Sequence, residues 1–334
     1  MLRPTSTSLL LLGLGLTLGL VACGGASSKG TAVPPKNVIF FLGDGMGLAT
    51  QTAARIYAVG EDGQLTMDTL PETAFVKTHS HDAQVTDSAP SMSAYMTGVK
   101  ANNEVISMSA DTQAVAPTAA FTTTVVPGNG TPVTTLLELA KAAGRGTGVV
   151  TTTRVTHATP AATYAHVPHR DAESDIAAQV VPGGPGFNGA LRNGVDVLMG
   201  GGKGFFLPTS VSGGKRADGR NLINELKGKG YAVAQSRADF DALDPAANAK
   251  VVGLFTSSHM SYDLDRDPAK EPSLAEMTLK ALQIVQKNPD GYFLMVEGGR
   301  IDHALHETTA IKALQDTVAF DDAIKAALAE VKKS

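Results

Sequence analysis

The sequence predicts an α/β fold: a doubly wound, mostly parallel sheet with helices on both faces. After Pro34 and Pro35, short apolar runs alternate with longer segments of helical periodicity, which is typical of βαβ units. The apolar runs are continuous, as in strands that helices bury on both faces. With 334 residues, 43% of them hydrophobic, the chain is long enough for one large domain or two small ones.

Five apolar runs predict strands, and four periodic segments predict helices. The run at 38–42 ends in a glycine-rich turn around Asp44. The last periodic segment predicts one long amphipathic helix or two in succession. A stretch at 102–133, rich in Thr, Ala, Gly and Pro, predicts a surface loop rather than core. The strands are predicted at 38–42, 148–153, 195–199, 251–255 and 292–296, and the helices at 134–143, 220–229, 273–287 and 308–333.

The amino terminus predicts export. Arg3 precedes an apolar run at 9–21, which has the length of a secretory signal and is too short to span a bilayer. Cys23 is the single cysteine, so an intrachain disulfide is excluded. Because Cys23 follows a small residue and precedes a Gly/Ser tether, residues 1–22 resemble a lipoprotein signal. We therefore expect a tether at 23–36, a domain at 37–334 and a lipid anchor at Cys23 in the periplasm or cell envelope. An ordinary secretory signal is the alternative.

Candidate metal ligands follow three of the predicted strands. Ligands of open α/β sheets bind beyond the carboxyl ends of the strands, so these side chains should meet. Oxygen ligands suit Mg²⁺, whereas a carboxylate with an imidazole suits Zn²⁺. The pattern therefore favours a mixed site for two or three metals, although any one acidic residue could also be a helix cap. The ligands are Asp44 after the first strand, His157 and Thr159 after the second, and Glu297, Asp302 and His306 after the last.

A helix start at Asp87–Ser88 supplies a candidate nucleophile. Either residue could be the N-cap, and Pro90 suits the first helical turn. A serine there is either a cap or a nucleophile that the helix end and a metal activate. Arg170 could hold phosphoryl oxygens or be an ordinary surface arginine. No G-x-S-x-G motif occurs, which argues against an α/β-hydrolase triad. The net charge of −4 argues against a nucleic-acid binder.

Several motifs together resemble the bacterial alkaline phosphatase family between residues 37 and about 329. They are Gly43-Asp44-Gly45-Met46-Gly47, Val85-Thr86-Asp87-Ser88-Ala89, Thr97-Gly98-Val99-Lys100, His157-Ala158-Thr159-Pro160-Ala161-Ala162, His166 to Arg170 and Val296-Glu297-Gly298-Gly299-Arg300-Ile301-Asp302-His303.

The resemblance implies a phosphomonoesterase that uses two zinc ions and one magnesium ion. Ser88 would form a phosphoseryl intermediate and Arg170 would hold the phosphate. Small phosphomonoesters would be the substrates, and a homodimer is compatible with the family. The implied metal ligands are Asp44 between the second zinc and the magnesium, Thr159 and Glu297 on the magnesium, and Asp302 and His306 on the first zinc. His157 and His303, whose positions vary in the family, would contact these ligands rather than the metal ions.

The sequence departs from the family pattern at its carboxyl end. Family members continue into strands that carry an Asp-His pair for the second zinc and a further His for the first. This chain is expected to lack those strands, so the zinc sites look incomplete and the magnesium site whole. His259 is the one spare histidine in that half of the chain. A non-catalytic homologue that binds magnesium or phosphate is therefore the alternative. A solute-binding lipoprotein would not need the spacing of Glu297, Asp302 and His306.

Overall fold

The computed structural model describes residues 36–333. The predicted signal peptide at 1–22, Cys23 and the tether up to residue 35 lie outside the described residues, so these expectations stay predictions. Within the described part of the chain, no helix is long and apolar enough to cross a bilayer.

A single parallel sheet of six strands forms the centre of the described domain. Its spatial order is β1-β6-β2-β3-β5-β4, and every neighbouring pair is parallel. The α/β prediction is confirmed, and the sheet is wholly rather than mostly parallel. Of the six strands, only the short edge strand β4 was not predicted. The strands are β1 Asn37–Gly43, β2 Gly146–Arg154, β3 Val197–Gly201, β4 Ala232–Ala234, β5 Val251–Leu254 and β6 Tyr292–Gly298.

Helices connect the strands and lie on both faces of the sheet. The predicted helical segment at 308–333 is one continuous helix, α10. Capping boxes at Thr135 and Ser273 begin α3 and α8: each N-cap hydroxyl accepts from the third helical NH, and the N-cap backbone NH donates to the glutamate side chain at that third position. The helices are α1 Leu48–Val59, α2 Ser88–Thr97, α3 Leu136–Ala142, α4 Ala158–Ala161, α5 Glu173–Gln179, α6 Leu222–Gly228, α7 Arg237–Ala242, α8 Leu274–Val285, α9 Arg300–His306 and α10 Ala310–Val331.

Two hydrophobic cores lie on opposite faces of the sheet. Successive strand residues alternate between them: Leu294 packs with α8 and α10, whereas Met295 packs with residues of α2 to α6. Both side chains are fully buried. Such double coverage explains why the strands read as continuous apolar runs.

The expectation that 102–133 is a surface loop is wrong for its first part. Val105, Ile106 and Ser107 are fully buried. Ile106 forms an antiparallel bridge with Val167 and belongs to the core on the α2 face. The sequence does not predict this burial, because a single buried turn between polar neighbours is too short to show a hydrophobic periodicity.

The register of the three strands β1, β6 and β2 determines which side chains meet at their carboxyl ends. Leu42 and Thr151 both lie opposite Glu297. Asp44 follows β1 by one residue, and its backbone NH donates to Gly298 at 3.3 Å. Residues more than a hundred positions apart in sequence are thereby held side by side.

Candidate active site

A cleft of about 670 Å³ opens beside the carboxyl ends of β1 and β6. Most of the site residues predicted from the sequence line it, and Thr159 and Glu297 are fully buried outside the lining. No predicted metal ligand lies elsewhere in the molecule. The predicted residues in the cleft lining are Asp44, Ser88, His157, Arg170, Asp302, His303 and His306.

Ser88 is the first residue of α2, and Asp87 is its N-cap. The Asp87 carboxylate accepts the Ala89 NH at 2.7 Å, so capping does not occupy the Ser88 hydroxyl. That hydroxyl instead donates to the Asp44 carboxylate at 3.0 and 3.2 Å. Of the two interpretations left open by the sequence, the cap is therefore Asp87. Ser88 Oγ is left at the positive end of a helix and beside a carboxylate.

Asp87 also positions Arg170, which the sequence did not reveal. The Arg170 guanidinium donates to Asp87 Oδ1 at 2.9 Å, and its other amino group lies 3.0 Å from His157 Nε2. The second Asp87 oxygen accepts the Glu104 NH at 2.6 Å. One carboxylate thus joins the helix that presents Ser88 to the arginine that faces it. An anion in the cleft would meet both.

Buried side chains below the cleft form a group that fits a metal ion. Asp44, His157 and Glu297 each offer a ligand atom, and these atoms lie within 4.8 Å of one another. Three buried atoms in this region have no hydrogen-bond partner among the described residues: His157 Nδ1, Thr159 Oγ1 and Glu297 Oε1. Buried polar atoms normally have partners. Their donor chemistry of carboxylate, hydroxyl and imidazole suits a divalent cation.

The carboxylates in this group are shifted toward their neutral forms. Burial, followed by the charge of Asp302, raises the pKa of Asp44 to about 6. Burial and the charge of Asp44 raise the pKa of Glu297 to about 8, although Thr151 and Thr153 donate hydrogen bonds to it. Two desolvated carboxylates repel each other and favour a proton or a cation between them.

Asp302 and His306 lie one helical turn apart on α9, at the mouth of the cleft. Asp302 Oδ1 is 3.4 Å from His306 Nε2, and 79% of the His306 side chain is exposed. Gly45 packs against Asp302 with a φ of +64°, and a β-carbon there would lie 2.6 Å from Asp302 Oδ1. Only glycine combines that backbone conformation with so close an approach.

Three residues beside the site were missed or undervalued in the sequence: Arg154, Glu173 and His259. The ring of His259 packs edge-to-face on those of His303 and His157, with centroids 4.3 and 5.3 Å apart. Arg154 contacts His259 Nε2 and makes a two-pronged ion pair with Glu173 at 2.7 and 2.8 Å. The sequence could have indicated His259, because it follows the predicted strand β5. No feature of the sequence indicates the pairing of Arg154 with Glu173.

Burial and nearby arginines keep these histidines neutral. They lower the pKa of His259 to about 2 and that of His303 to about 4, and they hold the pKa of His157 well below its usual range. A neutral imidazole keeps a lone pair that can bind a metal. His157 therefore places a neutral ring beside Asp44 and Glu297.

A hydroxyl at a helix start, facing an arginine and a buried group of metal-ligand type, is the arrangement expected of a metal-dependent enzyme acting on phosphate esters. The sequence profile of the alkaline phosphatase family matches residues 35–334. The chain belongs to the alkaline phosphatase family.

Known relatives agree in sequence and in fold. An alkaline phosphatase of Gadus morhua is 40% identical over 316 residues, which cover 86% of this chain and 64% of the relative. The crystal structure of Thermus thermophilus alkaline phosphatase matches with a TM-score of 0.75 and 32% identity, over 90% of this chain and 57% of that one. A variant of the TAB5 enzyme from an Antarctic bacterium, solved with Mg bound, matches with a TM-score of 0.71 and 29% identity, over 90% and 74%. The chain spans 59% to 64% of the length of the first curated relatives it matches.

Proposed function

We propose that the chain hydrolyses phosphate monoesters through a phosphorylated Ser88, at a site for two zinc ions and one magnesium ion. The observation that carries this proposal is the position of Ser88 Oγ, which begins α2, lies 3.0 Å from Asp44 and shares its cleft with Arg170. The helix cap is Asp87, so this hydroxyl is not needed to begin the helix.

Metal binding is assigned to residues already grouped in the structure. Asp44, Thr159 and Glu297 would hold the magnesium, and the unpartnered Thr159 and Glu297 oxygens support this. Asp302 and His306 would contribute to the first zinc, and Asp44 with Ser88 to the second. Bound divalent ions supply positive charge that lowers the pKa of a serine hydroxyl and neutralises phosphoryl oxygens.

The side chains divide the reaction between them. Arg170, oriented by Asp87, binds two non-bridging phosphoryl oxygens. Ser88 gives its proton to a solvent hydroxide and attacks phosphorus, so that a P–O bond forms to Oγ; the bond to the ester oxygen breaks, and that oxygen takes a proton from water, which regenerates the hydroxide. Water then attacks the phosphoserine, the bond to Oγ breaks, and inorganic phosphate and the Ser88 hydroxyl are regenerated. The open cleft of about 670 Å³ suits small substrates.

A second candidate is a non-catalytic homologue that binds magnesium or phosphate. One observation favours it: the group around Glu297 is buried and has the donor atoms that a cation needs, whereas the His306 side chain is largely exposed and, among the described residues, pairs with Asp302 alone. In this alternative the chain would bind Mg²⁺ or phosphate but would not turn over substrate.

Hydrolysis of p-nitrophenyl phosphate at alkaline pH, with Zn²⁺ and Mg²⁺ supplied, separates the two candidates. We expect turnover by the unaltered chain and by Ser210→Ala, an exposed loop control, and background rates from Ser88→Ala. A phosphate adduct on Ser88, trapped by acid quenching and located by mass spectrometry, would establish the intermediate. Unaltered chain no faster than Ser88→Ala would refute catalysis, and a Mg²⁺-dependent rise in melting temperature would then identify the binding protein.

We also propose export and lipid anchoring at Cys23 from the signal-like residues 1–23. Fatty-acid labelling of the expressed chain should disappear in Cys23→Ser, and retention of label would contradict the anchor. A homodimer is a further proposal, since large apolar side chains are exposed on and beyond α1, including Leu48 at 66% and Phe75 at 84%. Light scattering after gel filtration tests it, and a monomer at micromolar concentration would contradict it.

A further inference from the structure

A second cavity, of about 440 Å³, lies at the opposite edge of the sheet from the cleft. It is formed around the amino ends of β2, β3 and β5, by the segments that precede Gly146, Val197 and Val251. Strand β2 has nine residues, so the two edges are roughly 30 Å apart. A molecule in this cavity cannot touch Ser88 or Arg170, and the cavity is therefore a separate site.

The wall of this cavity is strongly cationic. Four basic side chains line it, namely Lys141, Arg145, Arg192 and Lys287, against the single carboxylate of Asp196. The chain as a whole has a net charge of −4, so the cavity concentrates charge of the opposite sign. Positive charge gathered in a concave, partly apolar site attracts small anions.

The one carboxylate is already shared. Asp196 accepts from Lys141 at 3.2 Å and from Lys250 at 3.0 Å, and also from the backbone and hydroxyl of Thr147 at 2.9 and 3.1 Å. The Lys141 side chain is only 6% exposed, so bulk water solvates its charge poorly. Asp196 is therefore occupied by these contacts, and none of them involves Arg192.

Arg192 is the cation best placed to receive a ligand. Its side chain has no hydrogen bond or ion pair with any residue in the described range 36–333, and its backbone has a φ of +56°. The Lys287 ammonium group donates one hydrogen bond to the Pro245 carbonyl oxygen. Ala249, Ile284 and Val285 also line the cavity and supply apolar surface.

We propose that this cavity binds a small organic dianion of the phosphate or phosphonate type. Its charged end would meet Arg192 and Lys141, and its apolar part would lie against Ala249, Ile284 and Val285. The volume suits a ligand of a dozen or more heavy atoms. The site is independent of the proposed phosphatase activity, and binding there neither makes nor breaks a bond.

Calorimetric titration with phenylphosphonate tests the proposal, because its carbon–phosphorus bond resists hydrolysis. The titration uses the full chain, first with Zn²⁺ and Mg²⁺ and then in chelator so that bound metal ions cannot hold the anion in the cleft, and Arg170→Ala removes the arginine contact of the cleft. We expect binding to persist in Arg170→Ala and to weaken about tenfold when Arg192→Gln is added, as for the loss of one charge-assisted contact. Lys332→Gln, an exposed lysine outside the cavity, should leave the affinity unchanged.

A second variant blocks the cavity without removing charge. Ala249 lies in an exposed loop, so Ala249→Trp should fold, fill the apolar side and abolish binding in the Arg170→Ala background. Methylphosphonate, which lacks the ring, should bind more weakly than phenylphosphonate. No binding in Arg170→Ala, or binding that neither Arg192→Gln nor Ala249→Trp reduces, would overturn the proposal. Failure of the phosphatase assay would leave this result untouched.

Discussion

Removal of metal should make the stability of this chain fall as pH rises, because Glu297 is buried beside Asp44. The pKa of Glu297 rises from 4.5 to about 8 in the folded chain without metal. Between these two values the folded chain binds more protons than the unfolded chain, so the unfolding free energy decreases with increasing pH. At 1.36 kcal/mol per pKa unit the loss from Glu297 is about 5 kcal/mol. Asp44, whose pKa is raised to about 6, acts in the same direction.

Thermal unfolding from pH 5 to pH 8.5, in chelator and in Mg²⁺, measures this loss. For a chain of this size about 5 kcal/mol corresponds to roughly 10 °C in melting temperature. We expect the melting temperature in chelator to fall by that order across the range, and the curve in Mg²⁺ to stay flatter, because the ion stabilises the ionised carboxylates.

Glu297→Gln identifies the residue responsible. This variant should show a flatter pH dependence in chelator and lose most of the response to Mg²⁺. Glu72→Gln, at an exposed position, should behave as the unaltered chain. A melting temperature in chelator that is independent of pH, or a full Mg²⁺ response in Glu297→Gln, would refute the reasoning.

Three further predictions concern single contacts. Asp87→Asn keeps a capping residue but weakens the 2.9 Å ion pair to Arg170, so the inhibition constant of inorganic phosphate should rise about five- to thirtyfold with little change in melting temperature; an unchanged constant would contradict the positioning role. Gly45→Ala should lower kcat at least tenfold in the p-nitrophenyl phosphate assay, since its β-carbon would meet Asp302; normal kcat would show that the loop adapts. Ser273→Ala removes the capping box of α8 and should cost about 1 kcal/mol in urea unfolding; no loss would place the cap's contribution elsewhere.

The sequence predicted the fold well where burial is two-sided. Continuous apolar runs identified β1, β2, β3, β5 and β6, because helices cover both faces of those strands. Strand β4 was not predicted because it has only three residues, Ala232–Ala234, at the edge of the sheet, and so short an apolar run does not distinguish a strand from a loop or helix segment.

The sequence indicated which candidate residues lie together at the carboxyl ends of the strands, but it did not reveal the contacts between them. Asp44 and Glu297 could be chosen because they directly follow apolar runs. The contact of Asp87 with Arg170 joins residues 83 positions apart, and that of Arg154 with His259 joins residues 105 positions apart. Neither pair has a local pattern, since the crossover connections of the sheet alone bring them together.

The strand order also constrains how the chain can fold. β1 pairs with β6 and with no other strand of the described region, yet Gly43 and Tyr292 are 249 positions apart. During synthesis, β1 therefore has no partner strand from the described region until β6 has emerged. Long-range parallel pairing of this kind is slow and leaves apolar strand edges open to aggregation. Because β6 lies between β1 and β2, its insertion joins β1 to the other strands and also delivers Glu297, so assembly of this part of the sheet brings the metal-ligand group together.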